Sequence, residues 1–174
     1  MKPVEFKKAK PEDAPMIWKI LQQAILRRKS DGSSQWQDGY PNFSTVESDL
    51  QKGVGYVLTE GDKIIGYAAL WANDEPAYKQ IKGQWLIGGD FLVVHRVAIS
   101  DKVLGRGFAQ EIFLRIEVIA LKMNLPSIRV DTNEDNFPML HILQKLNYTY
   151  CGEIKMRGTP RKAFEKLVST RGTP

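Results

Sequence analysis

Two glycines one residue apart, Gly105 and Gly107, stand between a run rich in Val, Leu, Phe and Ile (Phe91–Ile99) and a run with apolar residues at helical spacing. The first run suits a central strand. In the second, Phe108, Ile112, Ile116, Ile119 and Met123 fall on one helical stripe. Glycines at a strand-to-helix junction let the backbone approach a ligand closely, and the first-turn N–H groups then point at it with the positive end of the helix dipole. That chemistry wants an anion, most often a phosphate or pyrophosphate. A tight βα turn that needs glycine only for positive φ is the other reading of the same residues. The groups with proton or nucleophile chemistry near this stretch are His95, Arg96 and Asp131, with Tyr150 and Cys151 further on.

The elements that must position these groups follow from patterning. Val4–Ala9 reads as a first strand, and Pro11 with Glu12 and Asp13 opens a helix that ends near Lys29. Gln35–Tyr40 is a loop carrying Trp36 and Tyr40, which either grip a small ligand or pin the loop to the core. Ser44–Lys52 reads as a short helix capped by Ser44 or Thr45, with Glu47 completing a capping box. Tyr56–Thr59 and Lys63–Trp71 form a hairpin through Glu60-Gly61-Asp62. Asn73–Gly89, with Pro76, three glycines, Tyr78 and Trp85, breaks the strand pattern as a long excursion that covers a site. Ile128–Val130 is a short buried strand. Asn136 caps a helix running through Leu146, and Tyr148–Met156 and Ala163–Val168 pair around Gly158-Thr159-Pro160.

The chain has 174 residues, enough for one domain with a real core. The expected boundaries are a domain over 1–169 and a tail over 170–174. A formal net charge of +5 favours anionic partners but is diffuse, and neither zinc spacing nor a basic-aromatic array points to nucleic acid. One cysteine excludes an internal disulfide, and two histidines are too few for a His-rich metal centre, so no metal is expected. No run reaches membrane-spanning length and the N-terminus lacks an apolar leader, so the expected location is cytoplasmic, with no membrane partner.

Two explanations compete for the glycine loop. A dinucleotide-binding βαβ unit, which would make the protein an NAD-binding oxidoreductase, needs a third small residue where Gln110 stands. It also demands an acid about 20 positions on, a demand that Asp131 roughly meets. The other explanation is a resemblance. From Val97 onward the chain resembles the GNAT superfamily of acetyl-CoA-dependent N-acyltransferases: the family's Arg/Gln-x-x-Gly-x-Gly/Ala motif falls on Leu104-Gly105-Arg106-Gly107-Phe108-Ala109. The later family pattern falls on Asn136, Met139, Ile142, Leu143, Lys145, Asn147 and Tyr148. The resemblance implies a single-domain α/β (α+β) fold with a mixed, mostly antiparallel central sheet flanked by helices.

It also implies that the backbone of Val97, Ala98 and Ile99 pairs with the pantetheine arm of acetyl-CoA. The amides of Gly105, Arg106, Gly107, Phe108, Ala109 and Gln110 would hold its pyrophosphate, and Asn136 would contact the arm from the opposite side. The implied reaction is direct attack of a primary amine, on a small molecule or a peptide, on the acetyl thioester. The alternative is a non-catalytic acyl-CoA-binding module of the same fold. Members of the family place bases on this strand, which makes His95 the candidate base; a histidine satisfied inside the sheet, or packed beneath CoA, is the other reading, and Asp131 is the alternative base. Arg96 has the opposite parity to His95 unless a bulge intervenes, and binds an acidic acceptor group or pairs with a carboxylate. Leu104 departs from the motif's Arg or Gln, and Leu143 stands where many members carry the tyrosine that protonates the departing thiolate. Tyr150 and Cys151 lie nearest that region, and Tyr150 is the candidate acid. Trp36, Tyr40, Tyr78 and Trp85 are the expected walls of the acceptor pocket. The sequence leaves oligomeric state open, and a homodimer is compatible with it.

Overall fold

A computed structural model describes residues 1–169. The expected tail at 170–174 lies outside the described residues. The fold is mixed α/β, with eight strands in the order β1-β2-β3-β5-β6-β8-β7-β4 and four α-helices. The strands are β1 (Val4–Lys8), β2 (Gly55–Glu60), β3 (Lys63–Ala72), β4 (Lys82–Gly83), β5 (Leu92–Ile99), β6 (Ser127–Thr132), β7 (Thr149–Met156) and β8 (Thr159–Leu167). The helices are α1 (Ala14–Ser30), α2 (Phe43–Gln51), α3 (Phe108–Lys122) and α4 (Phe137–Lys145). The expected fold class is the observed one.

The chain divides into two compact units, one of residues Met1–Leu70 and Arg96–Phe113, the other of Trp71–His95 with the described residues from Leu114 onward. In the first unit β1 and β2 pair antiparallel, as do β2 and β3. Ile17, Leu21 and Ala24 of α1 and Val46 of α2 are buried with Val57, Leu58, Tyr67 and Phe113, so residues at helical spacing make the core face of α1. In the second unit β6, β8, β7 and β4 pair antiparallel in turn. There Tyr78, Val93, Ile154 and Ala163 form a buried cluster, with Trp71, Trp85 and Phe91 packed against it.

Three local expectations are corrected. The cap of α2 is Asn42, not Ser44 or Thr45: its carboxamide accepts the Thr45 amide at 3.0 Å while Thr45 Oγ1 accepts the Asn42 amide at 3.1 Å, so Thr45 rather than Glu47 completes the box. The last hairpin turns at Arg157-Gly158, both left-handed (φ 47° and 76°), and Thr159 and Pro160 already belong to β8. A two-residue turn with positive φ at both positions matches the right-handed twist of the strands, which a longer turn on Pro160 would not. The 73–89 excursion also contains a strand, β4, paired with β7 through Gly83 and Gly152. A Cβ on Gly83 would lie 2.0 Å from the Cys151 carbonyl oxygen, so the two backbones meet only because both positions are glycine.

Candidate functional site

The glycine loop belongs to the first unit. Ser100 caps a short turn at Asp101–Val103, and the chain then passes through Gly105 (φ 77°) and Gly107 (φ 81°) into α3. An added Cβ on either glycine would meet nothing within 4 Å, so the loop is open to solvent on the side a side chain would fill. The earliest helical bond in α3 is donated by the Glu111 amide to the Gly107 carbonyl at 3.1 Å. The amides before it are the orphan donors that every helix start leaves. An open backbone, left-handed glycines and orphan amides fit a pyrophosphate. Arg106 stacks over the Phe108 ring at 4.8 Å and donates to Glu60 at 2.6 Å. That hydrogen bond holds the half-buried Glu60 carboxyl below its ordinary range. The charge of Arg106 is therefore already shared before any ligand arrives.

Upstream of the loop, Arg96 takes φ 56° inside β5, so simple alternation does not carry through it. Its guanidinium grips the Asp49 carboxylate at both oxygens, Nε to Oδ2 at 3.0 Å and a terminal nitrogen to Oδ1 at 2.5 Å. The Tyr67 hydroxyl donates to Asp49 Oδ2 at 2.6 Å, and Arg96 also donates to the Tyr40 hydroxyl. Burial and then the Asp49 charge and hydrogen bond push the Tyr67 hydroxyl well above its ordinary range. Burial alone would disfavour charge on Arg96, but Tyr40, Asp49 and Tyr67 outweigh it and the net direction is upward. The Tyr40 hydroxyl is thus spent on Arg96. Trp36, half-buried and left-handed (φ 61°), sits in a loop tied down where Arg28 donates to Gln35 at 3.1 Å and to Ser33 at 2.9 Å.

His95 is described within the second unit. Its Nε2 lies 2.8 Å from Glu75 Oε2, with both side chains about one-seventh exposed (15% and 14%). A carboxylate can only accept, so Nε2 carries a proton, and in the neutral ring Nδ1 is then the nitrogen with the lone pair. Trp71 packs edge-on against the imidazole at 5.5 Å and the Tyr78 ring lies 6.5 Å away. Glu75 is itself fixed, because its Oε1 accepts the Ala77 amide at 3.1 Å and starts a short 3-10 turn. An oriented imidazole with a free lone pair can take a proton.

Tyr78 is 1% exposed and its hydroxyl donates to Asp131 Oδ1 at 2.6 Å. Burial, then the Asp131 charge, pushes its pKa well up, so it stays neutral. Asp131 also faces Arg161 at 3.7 Å, with the two side chains only 2% and 9% exposed. The Trp85 indole donates to the Tyr78 carbonyl at 2.9 Å and its ring lies 4.3 Å from the Arg129 guanidinium. Tyr78 and Trp85 both line a cleft of about 420 Å³ that also includes Glu75. Tyr150 is exposed, packs edge-on to Phe164 at 5.6 Å and lines a different cleft with Leu140, Gln144 and Lys162. Cys151 is buried and its thiol is pushed up, first by burial and then by Glu165, which leaves it a poor nucleophile. His141 is exposed. Asn136 caps α4, its side chain accepting the Met139 amide at 3.3 Å. Among the described residues no group of three His, Cys, Asp or Glu is placed to hold a metal ion, and no helix is long and apolar enough to cross a membrane.

Sequence reasoning missed Glu75 and Asp49. Asp49 had a signal: it lies three positions after Val46 on the buried face of α2, where an acid needs a partner. Glu75 had none, since nothing local ties a residue before Pro76 to a histidine 20 positions on.

Comparison with known proteins gives the family to which this fold belongs. Residues 18–148 match the acetyltransferase (GNAT) family, and the chain belongs to it. A GNAT-family acetyltransferase from Streptococcus agalactiae is 35% identical, with a TM-score of 0.87 over 96% of both chains. A GNAT-family acetyltransferase from Listeria monocytogenes is 19% identical and shares the fold, with a TM-score of 0.76 over 95% of both chains. A Salmonella typhimurium chain solved with its cofactor acetyl-CoA is 12% identical, with a TM-score of 0.68 over 98% of this chain and 97% of that one. A search of curated protein sequences gave no significant match.

Proposed function

We propose that the protein is a cytoplasmic N-acetyltransferase that moves an acetyl group from acetyl-CoA to a primary amine by direct attack. The observation that carries this is the open, left-handed Gly105/Gly107 loop feeding the N-terminus of α3. The amides of Gly105–Gln110 hold the pyrophosphate. Val97, Ala98 and Ile99 offer their backbone to the pantetheine arm like an added strand. In support, the parallel ladder between β5 and β6 spans only Leu92–Val94 against Ile128–Val130, although β5 runs on to Ile99. Asn136 is a further candidate contact to the arm.

A lysine-like amine with a pKa of ~10.4 gives up its proton at pH 7 at a cost of roughly 4–5 kcal/mol, so the reaction needs a base. His95 takes that proton at Nδ1 while Glu75 holds Nε2. The amine lone pair then forms the C–N bond, the C–S bond breaks, and the thiolate leaves and is protonated. One proton in total passes to solvent. Tyr150 is the candidate acid for the thiolate. Domain boundaries of 1–169 and a tail from 170 belong to the same reading.

Calorimetric titration with acetyl-CoA and with NAD, followed by thiol release over an amine panel, tests it. Acetyl-CoA binding with no NAD binding and amine-dependent release is the expected result. Binding without amine-dependent release would instead mark an acyl-CoA-binding module, and NAD binding would overturn the reading.

A further inference from the structure

We propose that the buried Arg129–Glu165 pair is a clip that fixes one wall of the acceptor cleft, which makes both of them positioning residues for the amine. This rests on the acetyltransferase reading above and adds the residues that shape its acceptor site. The cleft is the one of about 420 Å³ whose lining includes Glu75, the carboxylate 2.8 Å from the candidate base His95. One wall of it is Trp85, Ile87, Gly88, Gly89 and Phe91, from a segment over 84–91 that has no helix or strand of its own. Such a wall keeps a ligand in one place only if something else keeps the wall in place.

The pair supplies that hold. Arg129 on β6 and Glu165 on β8 are direct partners in the antiparallel ladder, and Arg129 is also in register with Val93 of β5, the strand that carries His95. Glu165 is fully buried, and its Oε1 accepts Ser127 Oγ at 2.5 Å and Arg129 Nε at 3.0 Å. Its Oε2 accepts the Leu86 amide at 2.5 Å, and a terminal nitrogen of Arg129 donates to the Ile87 carbonyl at 2.7 Å. The two charges thus take the N–H of one wall residue and the C=O of the next. The guanidinium carbon also lies 4.3 Å from the Trp85 ring and 4.0 Å from the Phe91 ring, so both ends of the wall rest on the same group.

Stability alone does not account for this arrangement. An apolar pair of similar volume often serves a core as well or better, because two charges must be taken out of water. Apolar side chains could not bond the Leu86 amide and the Ile87 carbonyl. The distinct contribution of the pair is where the wall stands. Cys151, the one cysteine of the chain, reports on it. The residue is 8% exposed, its carbonyl accepts the Gln84 amide at 2.9 Å, and the Leu86 backbone hydrogen-bonds to its sulfur. Releasing the wall therefore uncovers the thiol.

The test uses Ser127→Ala/Arg129→Met/Glu165→Leu, which removes both charges and the hydroxyl together, and the milder Arg129→Lys, whose ammonium lacks the planar fork. Labelling of Cys151 by a disulfide reagent under native conditions should run about tenfold faster or more in the triple variant, with an unfolding midpoint close to native. Acetyl-CoA affinity by calorimetry should be unchanged. Thioester loss is followed with phenethylamine, lysine and spermidine. For each amine that the native chain accepts, KM should rise about tenfold in the triple variant with kcat changed less, and should rise less in Arg129→Lys. Native labelling or a native amine KM in the folded triple variant overturns the inference, because the pair would then serve the fold alone. If the triple variant does not fold, Arg129→Lys decides by the same two readouts. If the native chain accepts no amine, the acetyltransferase reading fails separately and the labelling rate alone decides the clip.

Discussion

Arg96 with Asp49 and His95 with Glu75 are two charge pairs that begin one residue apart on β5, each inside its own unit, and they are built to opposite specifications. The Arg96–Asp49 side chains are 7% and 3% exposed, and the pair is bidentate with both carboxylate oxygens filled and Tyr67 and Tyr40 added around it. Arg96 also holds a left-handed backbone that a non-glycine residue adopts only when its surroundings enforce it. His95 and Glu75 are joined to each other by one hydrogen bond and are more exposed, at 15% and 14%, with the second imidazole nitrogen outside the pair. A bidentate pair braced by two tyrosines fixes geometry, whereas a histidine with a ring nitrogen outside the pair can move a proton.

Breaking the first pair should give the largest effect. Asp49→Ala leaves a buried guanidinium uncompensated and should cost about 3–5 kcal/mol in urea unfolding. Asp49→Leu combined with Arg96→Met should cost less than the two single changes summed, because no orphan charge remains. His95→Ala should instead spare stability and lower kcat by about 10²-fold or more, the usual scale of a lost general base. If the stability losses of the two changes were equal, the contrast between the pairs would collapse.

Tyr67→Phe sharpens the comparison on the pH axis. The folded-state pKa of Tyr67 is raised above the unfolded value near ~10, so its contribution is complete below about pH 10 and is lost as pH rises beyond it. The native chain should therefore lose stability above that pH. Tyr67→Phe should reduce that slope, leaving the share that Tyr78 contributes, and cost about 1 kcal/mol at neutrality through the lost hydrogen bond to Asp49. Unfolding followed from pH 8 to 11 checks it. Arg106→Ala should have the smallest effect on stability, a change in Tm near experimental error, because Arg106 is half exposed.

What could be read from the chain followed the range of each interaction. The strand, glycine loop and helix around Gly105 were legible because their signals are local: β-branched composition, glycine pairs and helical periodicity. The Asn136 cap was legible for the same reason, while the α2 cap was misplaced by two or three residues because Asn42, Ser44 and Thr45 are all favoured cap types. The strand at Lys82–Gly83 is too short to carry alternation and exists only because Gly152 of β7 lets it approach. Both charge pairs were half legible. His95 and Arg96 drew attention by type and parity, but Glu75 lies 20 residues away and Asp49 47, and no periodicity joins residues that far apart. The left-handed turn at Arg96 explains why parity alone did not place its side chain.

The pH dependence of kcat/KM for the amine, measured for the native chain and His95→Ala at saturating acetyl-CoA, tests the central claim most directly. The account predicts an acidic limb in the native profile that disappears with the histidine, together with a fall in kcat while acetyl-CoA affinity holds. The same limb in both proteins would contradict it and move the proton transfer away from β5.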